Sequence, residues 1–190
     1  LALHFSPPEN ETVKSVLAIL FAGLTITTII TLFFKRVRSR ICIIYFVNLA
    51  LVLGWWFSIE PSNDRTWRSD SARLSHADIK GDLVTIHDIR NLDYRSETDY
   101  DLHYYDKTFD LNDLQGVDLI SVYWMGPEIA HIFVSFDFGD NNFLSVSIEA
   151  RNEEGEGYST IKGFFRQYEL YYVVADERDV IRLRTNYRHD

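Results

Sequence analysis

The residues best suited to chemistry lie on two neighbouring segments that are typical of a β-hairpin. The first segment, AHIFVSFDF, carries His131 near its start, and the second, FLSVSIEAR, carries Glu149. Both alternate apolar and polar residues with period two, which predicts two-faced strands, and Gly139-Asp140-Asn141-Asn142 between them suits a tight turn. A carboxylate beside an imidazole orients the ring and raises its basicity. The pattern therefore predicts His131 as a catalytic base and Glu149 as the catalytic group that orients it.

The register of this hairpin decides which residue faces His131. Burying the apolar faces of both strands together fixes the parity of the register, because a slip by one residue exposes one apolar set. A three-residue turn at Asp140 to Asn142 then predicts that Arg151 lies opposite His131 and Glu149 diagonally beside it. The same pattern is also compatible with a surface histidine in a polar cross-strand ladder that does no chemistry.

Two further residues are candidates for binding a substrate. His87 lies in DLVTIHDIRNLDY, whose alternation predicts a strand, and Arg151 ends the second hairpin strand. We expect no metal and no cofactor, because the sequence has no HExxH motif, no pair of histidines at i, i+4 and one cysteine, Cys42. Motifs for a serine nucleophile elbow or a phosphate-binding loop are also absent from the sequence.

Several other segments must position these residues. VDLISVYWM predicts a buried strand that ends at Gly126-Pro127, and SETDYDLHYYDKTFDL predicts a loop or a short irregular strand. YELYYVV and VIRLR predict strands on either side of a solvated turn at residues 175–179, while helical spacing keeps a helix over Phe164 to Val174 open. The segment from Trp67 to Asp78 reads as a lead-in. We therefore predict an α+β fold whose globular part is a mainly antiparallel β domain.

The first 60 residues predict a different environment. Residues 13–34 and 41–59 form two apolar runs, each long enough to cross a bilayer as a helix; the alternative is a buried helical hairpin in a soluble core. Four of the five basic residues of this half lie in the connecting loop, Lys35 to Arg40. Because short basic loops stay in the cytoplasm, we predict a transmembrane hairpin (1–60) in the bacterial inner membrane, with both termini and the domain of residues 61–190 on the periplasmic side.

Charge restricts the partners of the second part. Residues 61–190 contain 25 acidic and 14 basic residues, and the basic ones are scattered. An acidic surface repels a phosphate backbone, so nucleic acid is excluded as a partner. The predicted partner is lipid of the inner membrane.

A family resemblance rests on several long segments in the same order. PSNDRTW, DLVTIHDIRNLDYRSETDY, AHIFVSFDFGD, SIEARNEEGEGYS and GFFRQYELYYVVADERDVIRLRTNYR resemble the periplasmic domain of the Lnb lipoprotein N-acyltransferase family, over roughly residues 60 to 190. His131 matches the family's histidine and Ser147, Ile148 and Glu149 match its Ser-Ile-Glu. One position departs, because Asp88 stands where relatives commonly have Asn.

The resemblance implies Cys-dependent acyl transfer, with lipoprotein or phospholipid as substrate, in half of a permuted papain-like fold in which His precedes Cys. The family's nucleophile lies in an Asn-Cys-Thr-Thr motif beyond the segment that matches Arg182 to Arg188. The sequence stops at Asp190 before such a motif, so we expect a fragment that lacks its nucleophile, incomplete at its C-terminus. Acyltransferase, acyl hydrolase, a non-catalytic envelope binding or assembly module and the remnant of a truncated gene all remain open.

Overall fold

The computed structural model describes residues 11–124, 126–157, 159, 162–163, 165 and 167–187. The chain divides into two compact units. The first contains the N-terminal helices and the segment Gly157–Glu169, and the second contains Arg65–Glu156 and Leu170–Asp190. The candidate catalytic residues all belong to the second unit.

Two long apolar helices occupy the first unit, as predicted. Helix α1 spans Glu11–Thr31 and α2 spans Arg38–Phe57, so α2 begins inside the segment that we expected to be loop. Both are long and apolar enough to cross a membrane, and almost none of either helix is buried. The core helix of a soluble protein would be mostly buried, so the alternative of a soluble helical hairpin loses its support. Phe21 and Tyr45 pack between the helices with their ring centroids 5.9 Å apart.

The second unit is built on one large sheet. In this sheet the hydrogen-bonded neighbours follow the order β1-β2-β9-β8-β7-β6. Strand β5 is an additional partner of β2, and β3 and β4 pair with each other in a separate two-stranded sheet. Apart from the parallel contact between β2 and β9, the registered pairs are antiparallel. This confirms an α+β protein with a mostly antiparallel sheet. The strand bounds are β1 His76–Lys80, β2 Leu83–Arg90, β3 Asp93–Tyr94, β4 Tyr100–Asp101, β5 Tyr104–Asp110, β6 Gly116–Tyr123, β7 Ala130–Asp137, β8 Phe143–Arg151 and β9 Glu169–Ala175.

The C-terminal segment is helical, which corrects the predicted strand VIRLR. Helix α3 spans Glu177–Arg182 and continues as a π-helical turn over Leu183–Tyr187. The Asp176 side chain accepts a hydrogen bond from the N–H of Arg178, which caps the helix at its start. Val180 is fully buried and Leu183 nearly so, a spacing of three residues that fits one helix face but puts both sides of a strand in the core.

The strands β6 to β9 have two faces of different character. We call the side with Phe133 and Ser135 the inner face and the opposite side the outer face. Against expectation, the more polar inner face is the covered one, because α3 packs on it: Phe133, Val173, Ala175 and Val180 form a buried cluster. The outer face carries Val117, Leu119, Ser121 and Tyr123 of β6, Ala130, Ile132, Val134 and Phe136 of β7, Leu144, Val146, Ile148 and Ala150 of β8, and Leu170, Tyr172 and Val174 of β9.

Among the described residues, those that cover the outer face lie at one end of it. Phe136, Leu144 and Val174 pack there with Ile89 of β2 and Phe109 of β5. Much of the rest is exposed, and β6 lies at the edge of the sheet rather than in its centre. The prediction of a buried strand over residues 117–125 is therefore wrong for β6. The segment predicted to be a loop or a short irregular strand contains the regular strand β5.

A buried ion pair joins β2 to α3. Asp179 is fully buried, and Arg90 donates to both of its carboxylate oxygens over 2.9 and 3.0 Å. The N–H of Leu92 donates to the same carboxylate over 2.9 Å. Burial works to lower the pKa of Arg90, but the negative charge of Asp179 outweighs it and raises that pKa. The solvated turn predicted at residues 175–179 is thus wrong for Asp179.

The turn of the β7–β8 hairpin allows a prediction about backbone strain. Its residues Gly139, Asp140 and Asn141 all have positive φ, and a Cβ at Gly139 would collide with the amide end of Gln115. We expect Gly139→Ala to cost about 1–2 kcal/mol for the left-handed backbone and to displace Gln115.

A matched control comes from the β1–β2 turn. Gly81 also has positive φ, but a Cβ there meets nothing within 4 Å. Pulse proteolysis of the detergent-solubilised chain in urea should give Gly81→Ala a smaller loss of stability than Gly139→Ala. In a Gln115→Ala background, which removes the colliding side chain, Gly139→Ala and Gly81→Ala should lower the stability by similar amounts. If Gly139→Ala still costs more, Gln115 is not the cause of the difference.

Candidate functional site

The hairpin brings His131 and Glu149 together on the inner face. Val134 pairs with Val146 and Phe136 with Leu144, and continuing this register places Glu149 directly opposite His131. The three-residue turn is Gly139–Asn141, one residue earlier than predicted, since the N–H of Phe138 donates to the carbonyl of Asn142. That shift moves Arg151 away from the expected position opposite His131.

Ser147 completes a compact triangle of side chains. Nε2 of His131 lies 2.8 Å from Oγ of Ser147 and 3.1 Å from Oε1 of Glu149. The hydroxyl of Ser147 donates to the same Oε1 over 2.8 Å. Ser147 is almost fully buried, whereas about a quarter of the side-chain area of His131 and Glu149 remains exposed (26% and 27%). Ser147 and Glu149 therefore hold the ring of His131 at Nε2, while part of the ring remains accessible to solvent.

Arg184 adds a positive charge from the π-helical turn. Its Nη2 donates to Oε1 of Glu149 over 2.5 Å, and its Nη1 donates to the carbonyl of Val180. The guanidinium also lies over the ring of Phe133, 5.2 Å from the centroid. Because only 5% of its side-chain area is exposed, Arg184 is a fixed counter-ion and not a mobile surface charge.

These contacts keep Glu149 ionised. Burial works to raise the pKa of the Glu149 carboxyl, but the hydrogen bond from His131, the charge of Arg184 and the hydrogen bond from Ser147 outweigh it and lower the pKa to about 2. A carboxylate accepts hydrogen bonds and donates none. Glu149 is therefore an acceptor for all three partners at neutral pH.

The hydrogen-bond directions define the tautomer of His131. Since the Ser147 hydroxyl donates to Glu149, its oxygen is left to accept from His131, and Glu149 also accepts. Nε2 must then carry the proton, and in a neutral imidazole the other nitrogen, Nδ1, holds the free electron pair. Within the described part of the chain no hydrogen bond to Nδ1 is found. Nδ1 is thus the nitrogen that can accept a proton from a reacting group.

The same geometry argues against Ser147 as a nucleophile. A serine nucleophile needs its proton to pass to the imidazole while a carboxylate holds the opposite ring nitrogen. Here the serine and the carboxylate meet the same nitrogen, the hydroxyl proton points to Glu149, and Ser147 is buried. Ser147 acts as a hydrogen-bond relay between His131 and Glu149.

His87 belongs to a separate cluster on β2. Its Nδ1 lies 2.7 Å from Asp106 and its Nε2 3.5 Å from Asp78, and its ring stacks on His76. The hydrogen bond to Asp106 is the main cause that raises the pKa of His87. Strands β9 and β8 separate β2 from β7 in the sheet, so the structure does not bring His87 to His131. Among the described residues, no group of three or more His, Cys, Asp and Glu is arranged to hold a metal ion.

Asp88, the position expected to depart from the family pattern, has a backbone role. It lies in the left-handed region with φ 56° at a bulge of β2, and its N–H donates to Asp106. Asn and Asp adopt this conformation more readily than other residues with side chains. Asp is therefore well suited to this position of the bulge.

The side chain of Arg151 contacts the lead-in segment. Its guanidinium lies over the ring of Trp67, 4.1 Å from the centroid, and donates to the carbonyls of Ser71 and Ala72. With 3% of the residue exposed, Arg151 fastens the segment around residues 67–72 to the sheet. These contacts leave little of the guanidinium surface for the predicted binding of a substrate.

Sequence reasoning missed Ser147 and Arg184 as members of the site. Ser147 shares the parity of Glu149 on β8, so the alternation already placed it on the same face. The contact of Arg184 with Glu149 was not predicted, because VIRLR was interpreted as a strand. In a helix, Val180 and Arg184 are four residues apart and lie on one face. A helix prediction would therefore have placed Arg184 on the side that packs on the sheet.

Glu149 also makes the stability of the domain depend on pH. A carboxyl whose folded-state pKa lies near 2 instead of its ordinary 4.5 contributes stability that is fully present above pH 4.5 and lost as pH falls toward 2. A shift of this size corresponds to at most about 3 kcal/mol. We expect Glu149→Gln to be less stable at pH 7, with the difference shrinking between pH 4.5 and 2. Urea midpoints measured across this range check it; curves that stay parallel down to pH 2 would contradict it.

The fold and site together define a class of protein: an α+β domain with a charged His–Ser–Glu–Arg cluster on its sheet, in a chain with two apolar helices that fit a membrane protein. Residues 100–190, just under half of the chain, match the family model of the Lnb N-terminal periplasmic domain. The predicted resemblance is confirmed over this range, which is shorter than the expected residues 60 to 190 and includes the whole cluster. No curated protein and no solved structure gave a match to the chain. The match indicates a periplasmic, envelope-associated domain.

Proposed function

We propose that the domain supplies the general base of a membrane-anchored acyltransferase, with His131 as the base and Glu149 as its positioning residue. The observation that carries this proposal is the pair of contacts that Nε2 of His131 makes with Ser147 and Glu149, from which the tautomer is inferred. Nε2–H is held by Ser147 and Glu149, and Nδ1 is the basic nitrogen. An imidazole anchored through one nitrogen and basic at the other is suited to activating a nucleophile.

The proposed reaction is transfer of an acyl group through a thioester. Nδ1 takes the proton of a thiol, and the resulting thiolate attacks the carbonyl carbon of an ester. The ester C–O bond breaks, the alcohol leaves with the proton held on His131, and the acyl group stays on sulfur. An amine then attacks the thioester and gives its proton to Nδ1, an amide bond forms, the C–S bond breaks and the sulfur leaves as the thiolate; water in place of the amine gives a free fatty acid.

The thiol must come from outside the described site. Cys42 lies on the apolar helix α2, where it cannot serve chemistry in the sheet domain if the helix spans the bilayer. We propose that a cysteine of the family's Asn-Cys-Thr-Thr type supplies the thiolate, in a permuted papain-like arrangement in which His precedes Cys. Glu149, already negative, then serves to stabilise the imidazolium that forms when Nδ1 gains a proton.

The proposed location follows from the helices and their charges. The basic connection Lys35 to Arg40 stays in the cytoplasm under the positive-inside rule, so both termini lie on the periplasmic side of the inner membrane. Phospholipid and lipoprotein at this surface are the proposed donor and acceptor. The two helices hold the enzyme where acyl chains are concentrated.

Acyl labelling of the native gene product tests this proposal. Membranes that contain the protein encoded by its full reading frame are incubated with phospholipid carrying a labelled acyl chain. We expect label on the protein that hydroxylamine releases, because hydroxylamine cleaves thioesters, followed by label on an amine of a lipoprotein. Absence of both the thioester and the transferred acyl group would overturn the proposal.

A non-catalytic envelope module is the second candidate function. The observation that favours it is the exposed apolar part of the outer face, which is suited to holding a partner. The labelling experiment separates the two, since a binding module gives no covalent acyl intermediate.

A further inference from the structure

The uncovered part of the outer face is unusually apolar for an exterior surface. Leu119 is 69% exposed and Leu170 is 75% exposed, at opposite sides of the four-stranded region. Ile132 and Ile148 lie between them, each more than half exposed. Isolated exposed apolar residues are normal in proteins, but a contiguous group of this kind marks a contact surface.

The charge distribution separates this surface from the rest of the domain. The segment 61–190 has 25 acidic and 14 basic residues, yet none of the outer-face positions of β6 to β9 is charged. Tyr123 on β6 and Tyr172 on β9, both more than half exposed, add rings with a polar end. Aliphatic side chains flanked by tyrosine are the composition that favours the boundary between headgroups and acyl chains.

With α1 and α2 in a bilayer, the chain keeps the sheet unit close to lipid. Helix α2 ends at Phe57, and residues 58–64 join it to the sheet unit, which begins at Arg65. Seven extended residues reach at most about 25 Å. A domain on so short a tether meets lipid at a high effective concentration, so a weak apolar contact is enough to hold it there.

We propose that the exposed outer face, formed by Leu119, Tyr123, Ile132, Ile148, Leu170 and Tyr172, docks on the lipid surface of the membrane that holds the helices. The contact is apolar and uses no charge, so it does not require anionic lipid and is not weakened by salt. This inference is independent of the proposed acyl transfer, because the face lies on the opposite side of the strands from His131.

Lipid quenching of a single fluorophore tests the docking. The full chain with Cys42→Ser as background receives one cysteine, at Leu119→Cys or Ile148→Cys, labelled with an environment-sensitive dye. Lys80→Cys, an exposed position on β1, is the matched control. The protein is reconstituted into phosphatidylcholine vesicles with or without doxyl-labelled phosphatidylcholine.

We expect the dye at positions 119 and 148 to lose roughly half of its fluorescence to the doxyl lipid, because docked faces enter the bilayer boundary by about 5–10 Å. The dye at position 80 should keep its fluorescence, and 1 M salt should change neither result. Quenching equal to that at position 80 would overturn the proposal. A dye shielded from water but not quenched by lipid would also overturn it, because protein and not lipid would then cover the face.

Discussion

Replacing His131 by alanine is expected to reduce acyl transfer by about 10²–10⁴-fold, the usual contribution of a general base. The loss follows from the basic Nδ1, whose proton-accepting role no neighbouring group replaces: Ser147 is a buried relay and Glu149 accepts hydrogen bonds only. The measurement is the rate of thioester formation on the native gene product in membranes. Membrane insertion should be unchanged, because the mutation is far in sequence from the apolar helices.

His103→Ala is the matched control for this variant. His103 is an exposed histidine whose backbone carbonyl, not its ring, accepts a hydrogen bond from Asn91. It should retain full activity. Glu149→Gln should lower kcat with little change in KM, as expected for a residue that acts through His131. Undiminished thioester formation in a folded His131→Ala protein would remove His131 from the mechanism.

Replacing Asp179 by asparagine is expected to destabilise the domain by about 3–5 kcal/mol. The change keeps the shape of the side chain but leaves the buried guanidinium of Arg90 without its counter-charge and weakens the acceptor of Leu92 N–H. Pulse proteolysis in urea on the detergent-solubilised chain should show a midpoint lower by roughly 2 M, at an m value of about 2 kcal/mol/M.

The chain supplies a control of matching geometry in Arg95 and Asp99. Arg95 donates to both oxygens of Asp99 over 3.0 and 2.6 Å, but both side chains are more than half exposed. Asp99→Asn should leave the urea midpoint almost unchanged, since the pair is exposed to water and Arg95 keeps its hydrogen bond to Asp101. The double variant Arg90→Met, Asp179→Leu should recover part of the loss, because it removes the unpaired charge. Equal effects of Asp99→Asn and Asp179→Asn would show that burial is not the cause.

The parts of the fold that the sequence predicts best are those with strong periodicity. The two apolar helices, the β7–β8 hairpin and the strand over Glu169–Ala175 all follow from local pattern. The pairing of His131 with Glu149 also followed, since both residues share a parity on adjacent strands. Its exact form did not, because moving the turn by one residue replaces Arg151 by Glu149 opposite His131.

The remaining features depend on contacts between distant segments. Periodicity marked Ile132 and Ile148 as core residues, yet α3 packs on the other face, where Phe133 lies. The polar inner face can be buried because Arg184 neutralises the charge of Glu149. The local sequence around α3 does not predict this contact. The same holds for Asp179, whose acidic neighbours suggested a solvated turn while its partner, Arg90, lies 89 residues earlier.

The link between Arg90 and Asp179 also constrains how the domain forms during synthesis. Strand β2 is made early, but its parallel contact with β9 and its ion pair with α3 need later residues, Asp179 being 89 residues beyond Arg90. Loop closure over so many residues is slow and is rewarded only when the last contacts form. A nascent chain that has not reached Asp179 therefore lacks the counter-charge of Arg90, and the native state forms only after α3 has left the ribosome.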